Sequence, residues 1–127
     1  MRNIAYMEVA VKELERALRA LADETRLRML NLLLERECCV CEVMQVLNIS
    51  QTRASRNLSI LFEAGFLKHR KEGLWAYYSI DRSALKDQLA LLLEAVETGW
   101  KDSRTAIRDK ESLQRTKRLG PRYCSRC

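Results

Sequence analysis

Glycine and proline are scarce in this chain, four and one among 127 residues, which leaves little material for a loop-rich scaffold and predicts mostly helix with one short sheet. No apolar run approaches the roughly 18 residues that a membrane span requires, so no membrane is expected among its partners. The opening Met1-Arg-Asn-Ile-Ala-Tyr-Met-Glu8 lacks a signal-peptide layout, and a cytoplasmic location is the expectation. Histidine occurs once, at His69, where a solvent or backbone contact is expected rather than metal ligation. There is no internal repeat and no low-complexity tract. The length suits one domain with a modest core and is too short for two.

Cysteine, by contrast, occurs five times, clustered at Cys38, Cys39 and Cys41 and again at Cys124 and Cys127. In a reducing compartment such residues are expected to be ligands or sensors rather than a disulfide frame. The net charge of +6 is uneven: residues 1–100 hold 14 Lys/Arg and 14 Asp/Glu, whereas residues 101–127 hold 9 and 3. That asymmetry divides the chain into a domain at 1–100 and a basic, flexible tail at 101–127, with Gly120-Pro121 breaking any helix there. Within the balanced part, Arg53, Arg56, Lys68, Arg70 and Lys71 stand against Glu63 alone, a local +4 of the kind that phosphates reward.

Apolar spacing predicts the helices. Met7, Val11, Leu14, Leu18 and Leu21 recur at alternating intervals of four and three. Leu85, Leu89, Leu92 and Val96 repeat that rhythm in a last long helix, predicted from about Arg82 to Gly99 with Asp81 as its cap. Two terminal helices with surplus apolar surface predict a homodimer that pairs through them. Between them, Asp23 caps a helix whose buried stripe is Leu27, Leu30 and Leu34. Arg26 and Arg28 on that helix are open between solvent, phosphate and acidic partners.

Val43, Val46 and Leu47 give a short helix its apolar side, Asn48-Ile49-Ser50 interrupts it, and Ala54, Leu58 and Leu61 restart the pattern. Ser50 or Gln51 is the expected cap of the new helix, and the pair reads as a helix-turn-helix. Gln51, Thr52, Arg53, Ser55, Arg56 and Asn57 avoid the core, an inventory suited to the phosphates and base edges of double-stranded DNA. A plain helical hairpin with a solvated polar face fits the same pattern; the basic residues and hairpin flanking it favour DNA. Gly65 closes the helix, and Phe66–Arg70 and Trp75–Ile80 read as strands around Gly73. The fold class is therefore mainly α with a small β-hairpin, a winged helix-turn-helix. Arg70 and Lys71 of the wing are expected against the sugar-phosphate backbone, while Trp75 and Tyr77 or Tyr78 roof the core.

Cys38, Cys39 and Cys41 lie where the third helix begins, and the unpaired amides of a helix start favour thiolate. Residues three apart share a helical face and residues two apart do not. Cys38 and Cys41 are thus expected to meet across one turn, with Cys39 joining them only if that turn unwinds. Clustered sulfurs without a His or carboxylate cage select soft ions, and three of them suit a pyramidal trivalent ion such as arsenic or antimony. Tetrahedral zinc wants four ligands. An ion that gathers all three sulfurs distorts the helix supporting the recognition helix and frees the DNA. The plain alternative is that free cysteines behave as small buried hydrophobes.

Leu-Ala-Asp-Glu-Thr-Arg-Leu-Arg-Met-Leu at 21–30, Glu-Cys-Cys-Val-Cys-Glu at 37–42, Ser-Gln-Thr-Arg-Ala-Ser-Arg-Asn-Leu at 50–58, Ala-Gly-Phe-Leu at 64–67 and Gly-Leu-Trp-Ala-Tyr-Tyr at 73–78 resemble the ArsR/SmtB family of metal-sensing repressors. The likeness is greatest to its arsenic-responsive members. It implies a homodimer that is not an enzyme and carries no organic cofactor. Such a protein represses an arsenic-resistance operon and leaves its operator when arsenite or antimonite binds. Cys39 and Cys41 fall on the family's Cys-Val-Cys pair. Where the family's pattern has a third cysteine one turn after Cys41, this chain has Met44. Cys38 is the expected substitute, with Cys124 and Cys127 the competing source. Asn57 stands where the family often has His, which leaves DNA binding in place but changes operator preference. Alternatives on the same fold are a sensor of cadmium, lead or reactive sulfur species, and a structural zinc site joining tail and helix thiols. The zinc site of some relatives needs His on the last helix, and none lies between Arg82 and Trp100. Cys124-Ser-Arg-Cys127 lacks the βαβ surroundings of a redox enzyme.

Overall fold

The computed structural model describes residues 4–118, with side chains from residue 8 onward. The elements run α1 (Ile4–Leu21), α2 (Glu24–Glu35), β1 (Cys38–Cys39), α3 (Val40–Leu47), α4 (Gln51–Glu63), β2 (Lys68–Glu72), β3 (Trp75–Ser79), α5 (Asp87–Trp100) and α6 (Arg104–Arg115), with a 3-10 turn at Arg82–Ala84. No described helix is long and apolar enough to cross a membrane.

Helix α2 starts where the sequence places it: Asp23 is extended and its carboxylate accepts the Arg26 amide at 3.0 Å. Its burial differs from the predicted stripe. Met29, Leu30, Asn31, Leu32 and Leu33 are all buried, while Leu27 and Leu34 are only half-buried. The reason is position, because α1, α3, α4, α5, α6 and β3 all pack around this helix and cover more than one side of it.

The helix-turn-helix has its predicted breakpoints. Asn48 ends α3 in the left-handed region at φ 53°, which a short polar side chain tolerates. The Ser50 hydroxyl accepts the Arg53 amide at 3.2 Å to open α4, and Ala54, Leu58 and Leu61 are fully buried. Gly65 then turns the chain at φ +98°, a conformation that favours glycine, and the Leu89 side chain of α5 lies close by, 2.9 Å from where a Cβ would stand. Strands β2 and β3 pair antiparallel around Gly73 at φ +63°, with Arg70 opposite Tyr77 and His69 opposite Tyr78. All of β2 is exposed, whereas Ala76, Tyr77 and Tyr78 of β3 are buried. The result is a mainly α-helical winged helix-turn-helix with a small sheet.

Three sequence expectations are corrected. Cys38 and Cys39 do not begin a helix; they form β1, which adds a third strand to the wing sheet in the order β1-β3-β2. Asp81 caps the 3-10 turn through the Ser83 amide at 3.1 Å, and α5 begins later, at Asp87. The tail at 101–127 is not loose throughout. Its residues 104–115 form α6, which packs on α2 and α3 with Ala106, Asp109 and Leu113 buried. The apolar positions of α6 are too few to announce burial; a polar clamp docks it, with Arg28 Nε and Nη2 meeting Asp109 at 2.8 and 2.9 Å and Asn31 Nδ2 donating to the Ala106 carbonyl at 3.3 Å. Of the three partners open to Arg28, an acid is the one that holds it. The remainder of the tail, with Cys124 and Cys127, lies outside the described residues.

On α1, Val11 is 64% exposed and Leu18 48%. Beside it, Leu21, Leu27, Leu92, Val96 and Trp100 line an apolar groove of about 420 Å³.

Asp109→Ala is expected to leave the half-buried Arg28 without its two charge-assisted bonds and to cost about 2 kcal/mol. A urea melt should show the midpoint falling with the slope unchanged.

Candidate functional site

Strand geometry sorts the three clustered thiols. Successive residues of a strand face opposite ways, so Cys38 and Cys39 part company. Cys38 is fully buried among the core residues and its thiol donates to the Arg36 carbonyl at 3.4 Å. Burial, with the negative charge of Glu42 adding to it, pushes that thiol up to about 12. Cys39 is the extended N-cap of α3 and Cys41 lies in its first turn; their Cα atoms are 5.4 Å apart and their sulfurs are joined as a disulfide. The pair packs against Tyr77, with Trp75 alongside.

This overturns two sequence expectations. Cys38 and Cys41 do not meet across a turn, and Cys39 reaches Cys41 with α3 intact, because Cys39 precedes the helix instead of lying inside it. The two sulfurs are thereby brought together as a pair. Reduced by a thiol reductant, with two electrons and two protons, it offers two adjacent soft donors, which fits a thiophilic ion in donor type. Among the described residues no group of three or more His, Cys, Asp or Glu side chains is arranged to hold a metal.

Sequence reasoning missed the carboxylate beneath the pair. Glu42, 1% exposed, accepts the Cys39 amide at 3.0 Å and pairs with Arg36 Nη2 at 2.5 Å and Arg118 Nε at 3.1 Å, with the Thr116 hydroxyl 3.2 Å away. Burial pushes this carboxyl up, but the bonds from Arg36 and the Cys39 amide outweigh it and hold the group below its usual range. The available signal was the capping-box spacing from Cys39 to Glu42. Residues 116–118 thereby lie across the start of α3. Gln45 Nε2 donates to the Lys117 carbonyl at 2.8 Å, and the Arg118 guanidinium stands 5.0 Å from the Tyr77 ring centre.

On the wing, Arg70 is occupied. It meets Glu37 at 2.7 and 2.9 Å and Glu72 at 3.1 Å, and covers Tyr77 at 4.3 Å. Lys71 is exposed. On α4, Thr52, Arg53 and Arg56 are exposed, and Gln51 and Ser55 half so. Asn57 is committed on both sides of its amide: Oδ1 accepts from Arg26 Nη1 at 2.9 Å and Nδ2 donates to the Arg53 carbonyl at 2.9 Å. Arg26 also donates to the Ala20 and Arg19 carbonyls at the end of α1, so it braces α1, α2 and α4 together. Asn57 and Arg70, both expected at the DNA, therefore also make bonds within the fold and keep further donors beyond them.

A basic, half-exposed helix set behind a short turn, with a β-wing beside it, defines a winged-helix DNA-binding regulator. Residues 23–69 match the model of the bacterial regulatory protein, arsR family. The chain is 48% identical over 63 residues to the arsenic resistance transcriptional regulator ArsR1 of Pseudomonas putida, covering 49% of each. It is 31% identical to the arsenical resistance operon repressor of Bacillus subtilis over 56% of this chain and 69% of that protein. Its fold resembles the homodimeric winged helix-turn-helix DNA-binding domain Mb0332 of Mycobacterium bovis, a possible ArsR-family transcriptional regulator (TM-score 0.65, 26% identity, 82% of this chain and 93% of that one). The chain therefore belongs to the arsR family of bacterial regulatory proteins, DNA-binding regulators and not enzymes, and is closely related to the arsenic-responsive members. It spans about half the length of such curated relatives.

Glu42→Ala is expected to cost about 2 kcal/mol, and Glu42→Gln less, because the amide keeps an acceptor for the Cys39 N–H. The folded carboxyl lies below its unfolded value, so its contribution is complete above the ordinary carboxylate range and fades as pH falls through the folded value. Urea melts across pH should show the gap between wild type and Glu42→Gln closing on acidification.

Proposed function

We propose that this chain is a homodimeric repressor of an arsenic-resistance operon, released from its operator when arsenite or antimonite binds the reduced Cys39 and Cys41. The observation that carries the reading is the placement of this thiol pair at the joint between β1 and α3. From there α3 packs on the recognition helix α4, and β1 hydrogen-bonds to the wing strand β3. Any rearrangement of the two cysteines bears on both DNA-facing elements at once. Such coupling is reciprocal: operator DNA weakens inducer binding by the factor by which inducer weakens DNA binding.

Thr52, Arg53 and Arg56 face the major groove and its flanking phosphates, together with Gln51 and Ser55, and Lys71 reaches the backbone from the wing. Asn57 and Arg70 hold these elements in place. Val11 and Leu18 of α1 and the apolar groove along α5 supply the surface for the second copy, as hydrophobic area left on a monomer favours association.

Cys39→Ser and Cys41→Ser should keep operator affinity and lose release by arsenite, read by fluorescence anisotropy on an operator duplex. Loss of DNA binding in both would sink this division of labour, and release by cadmium or lead in place of arsenite would reassign the ion. Arg56→Ala should weaken binding and lower the slope of log affinity against log salt by about 1.

A further inference from the structure

We infer that α1 carries a second DNA contact: Lys12, Arg16 and Arg19 form a basic stripe that meets the phosphate backbone beside the groove entered by α4. The inference rests on the DNA-facing role proposed for α4. A helix advances about 100° per residue, which sorts α1 into three sides. Ala17 and Ala20 are buried against the core, and Val11, Leu14 and Leu18 make an exposed apolar side. Lys12, Arg16 and Arg19, spaced by four and three, share the remaining side, and all three are exposed. The surface offered to a second copy and the basic stripe are therefore different faces of one helix.

The stripe lies beside the recognition helix. Together with Arg26 and Ile60 it lines a groove of about 320 Å³ between α1 and α4. One guanidinium fixes the two helices side by side. Arg26 donates through Nε to the Ala20 carbonyl at 2.7 Å, through Nη2 to the Arg19 carbonyl at 3.2 Å and through Nη1 to Asn57 Oδ1 at 2.9 Å. One turn before Asn57 is Arg53, whose Nη2 donates to Thr25 Oγ1 at 3.5 Å. Arg53, Arg26, Arg19, Arg16 and Lys12 thus follow one another from the start of α4 along the side of α1.

The charge balance favours a polyanion. Glu15 is the one acid lining the groove, and it pairs with Arg19 at 2.6 Å with side chains 55% and 80% exposed. A pair so exposed is worth little and gives way to a phosphate. Glu13 is engaged with Lys86 at 2.8 Å, and Glu63 stands at the far end of α4 in the neighbouring groove. Lys12 and Arg16 have no acidic partner among the described residues. Spacing fits as well. From Lys12 to Arg19 the helix rises about 10 Å, over which one DNA strand presents about three phosphates, at roughly 3.4 Å of axis each. Phosphates carry no sequence information, so the stripe adds affinity while α4 selects the site. The stretch that matches the family model begins at residue 23, after the end of α1, so the stripe is carried by the part of the chain outside it.

Full-length protein, kept reduced, is titrated onto a labelled duplex that it has selected from a random pool, and onto a scrambled duplex of equal length, over a range of salt. Lys12→Gln/Arg16→Gln/Arg19→Gln retains good helix formers. It is expected to bind both duplexes at least about tenfold more weakly and to flatten the slope of log affinity against log salt by about 2 to 3 per subunit. Preference for the selected duplex should be unchanged. Ethylation of about three phosphates per half-site should block wild type and leave this variant unaffected. Glu15→Gln is the opposite change, and it is expected to tighten binding to both duplexes about twofold or more, a gain that a damaged fold does not produce. Unchanged affinity and slope in the triple variant, a loss confined to the selected duplex, or unchanged or weaker binding by Glu15→Gln would each overturn the proposal. Sedimentation checks that every variant keeps the mass of wild type; should the triple variant lose it, Glu15→Gln decides alone. Arg56→Ala separates the two levels. If it weakens binding while the triple variant does not, only the stripe's part fails; if it has no effect, the placing of α4 in the groove fails.

Discussion

Two backbone pairings, Cys38 with Tyr78 and Cys39 with Tyr77, decide the chemistry of this protein. They hold the residues before α3 in extended conformation, and an extended segment sends neighbouring side chains to opposite faces. One cysteine is thereby spent on the main core, and the next is turned to the opposite face, where it meets Cys41 in a second buried cluster with Tyr77. A helix begun two residues earlier would have paired different sulfurs.

The same pairings make the thiol-bearing joint part of the wing. In the order β1-β3-β2 the thiol-bearing strand is one hydrogen-bonded neighbour away from the central wing strand, and the Arg70–Glu37 pair spans from the outer strand back to the segment before β1. The cysteines are thus connected to the DNA-facing elements in two ways, through α3 to α4 and across the sheet to the hairpin. Neither connection requires α3 to unwind first, since Cys39 and Cys41 already adjoin with the helix intact.

Beneath the joint, Glu42 gathers what would otherwise be separate elements. A buried carboxylate is costly unless its charge and lone pairs are met, and here Arg36 from the end of α2, Arg118 from beyond α6 and the amide of Cys39 meet it. The group that secures the start of α3 is consequently also the group that fastens residues 116–118 against that helix. Stability of the extension and geometry of the cysteine pair are tied through one side chain.

By itself the sequence determined the helix-turn-helix, its wing, the caps at Asp23 and Ser50 and the glycines at 65 and 73, because these are local: periodicity, capping and positive φ act within a few residues. It also placed the basic face of α4 and marked Cys39 and Cys41. Tertiary structure alone decided that Cys38 belongs to the core, that Asn57 and Arg70 bond to distant elements of the fold and that α6 is docked. Each of those outcomes depends on a partner more than 30 residues away, namely Tyr78 for Cys38, Arg26 for Asn57, Glu37 for Arg70 and Arg28 for Asp109. A polar side chain reads alike in sequence whether it meets water, phosphate or another residue, and only folding brings the competing partner within reach.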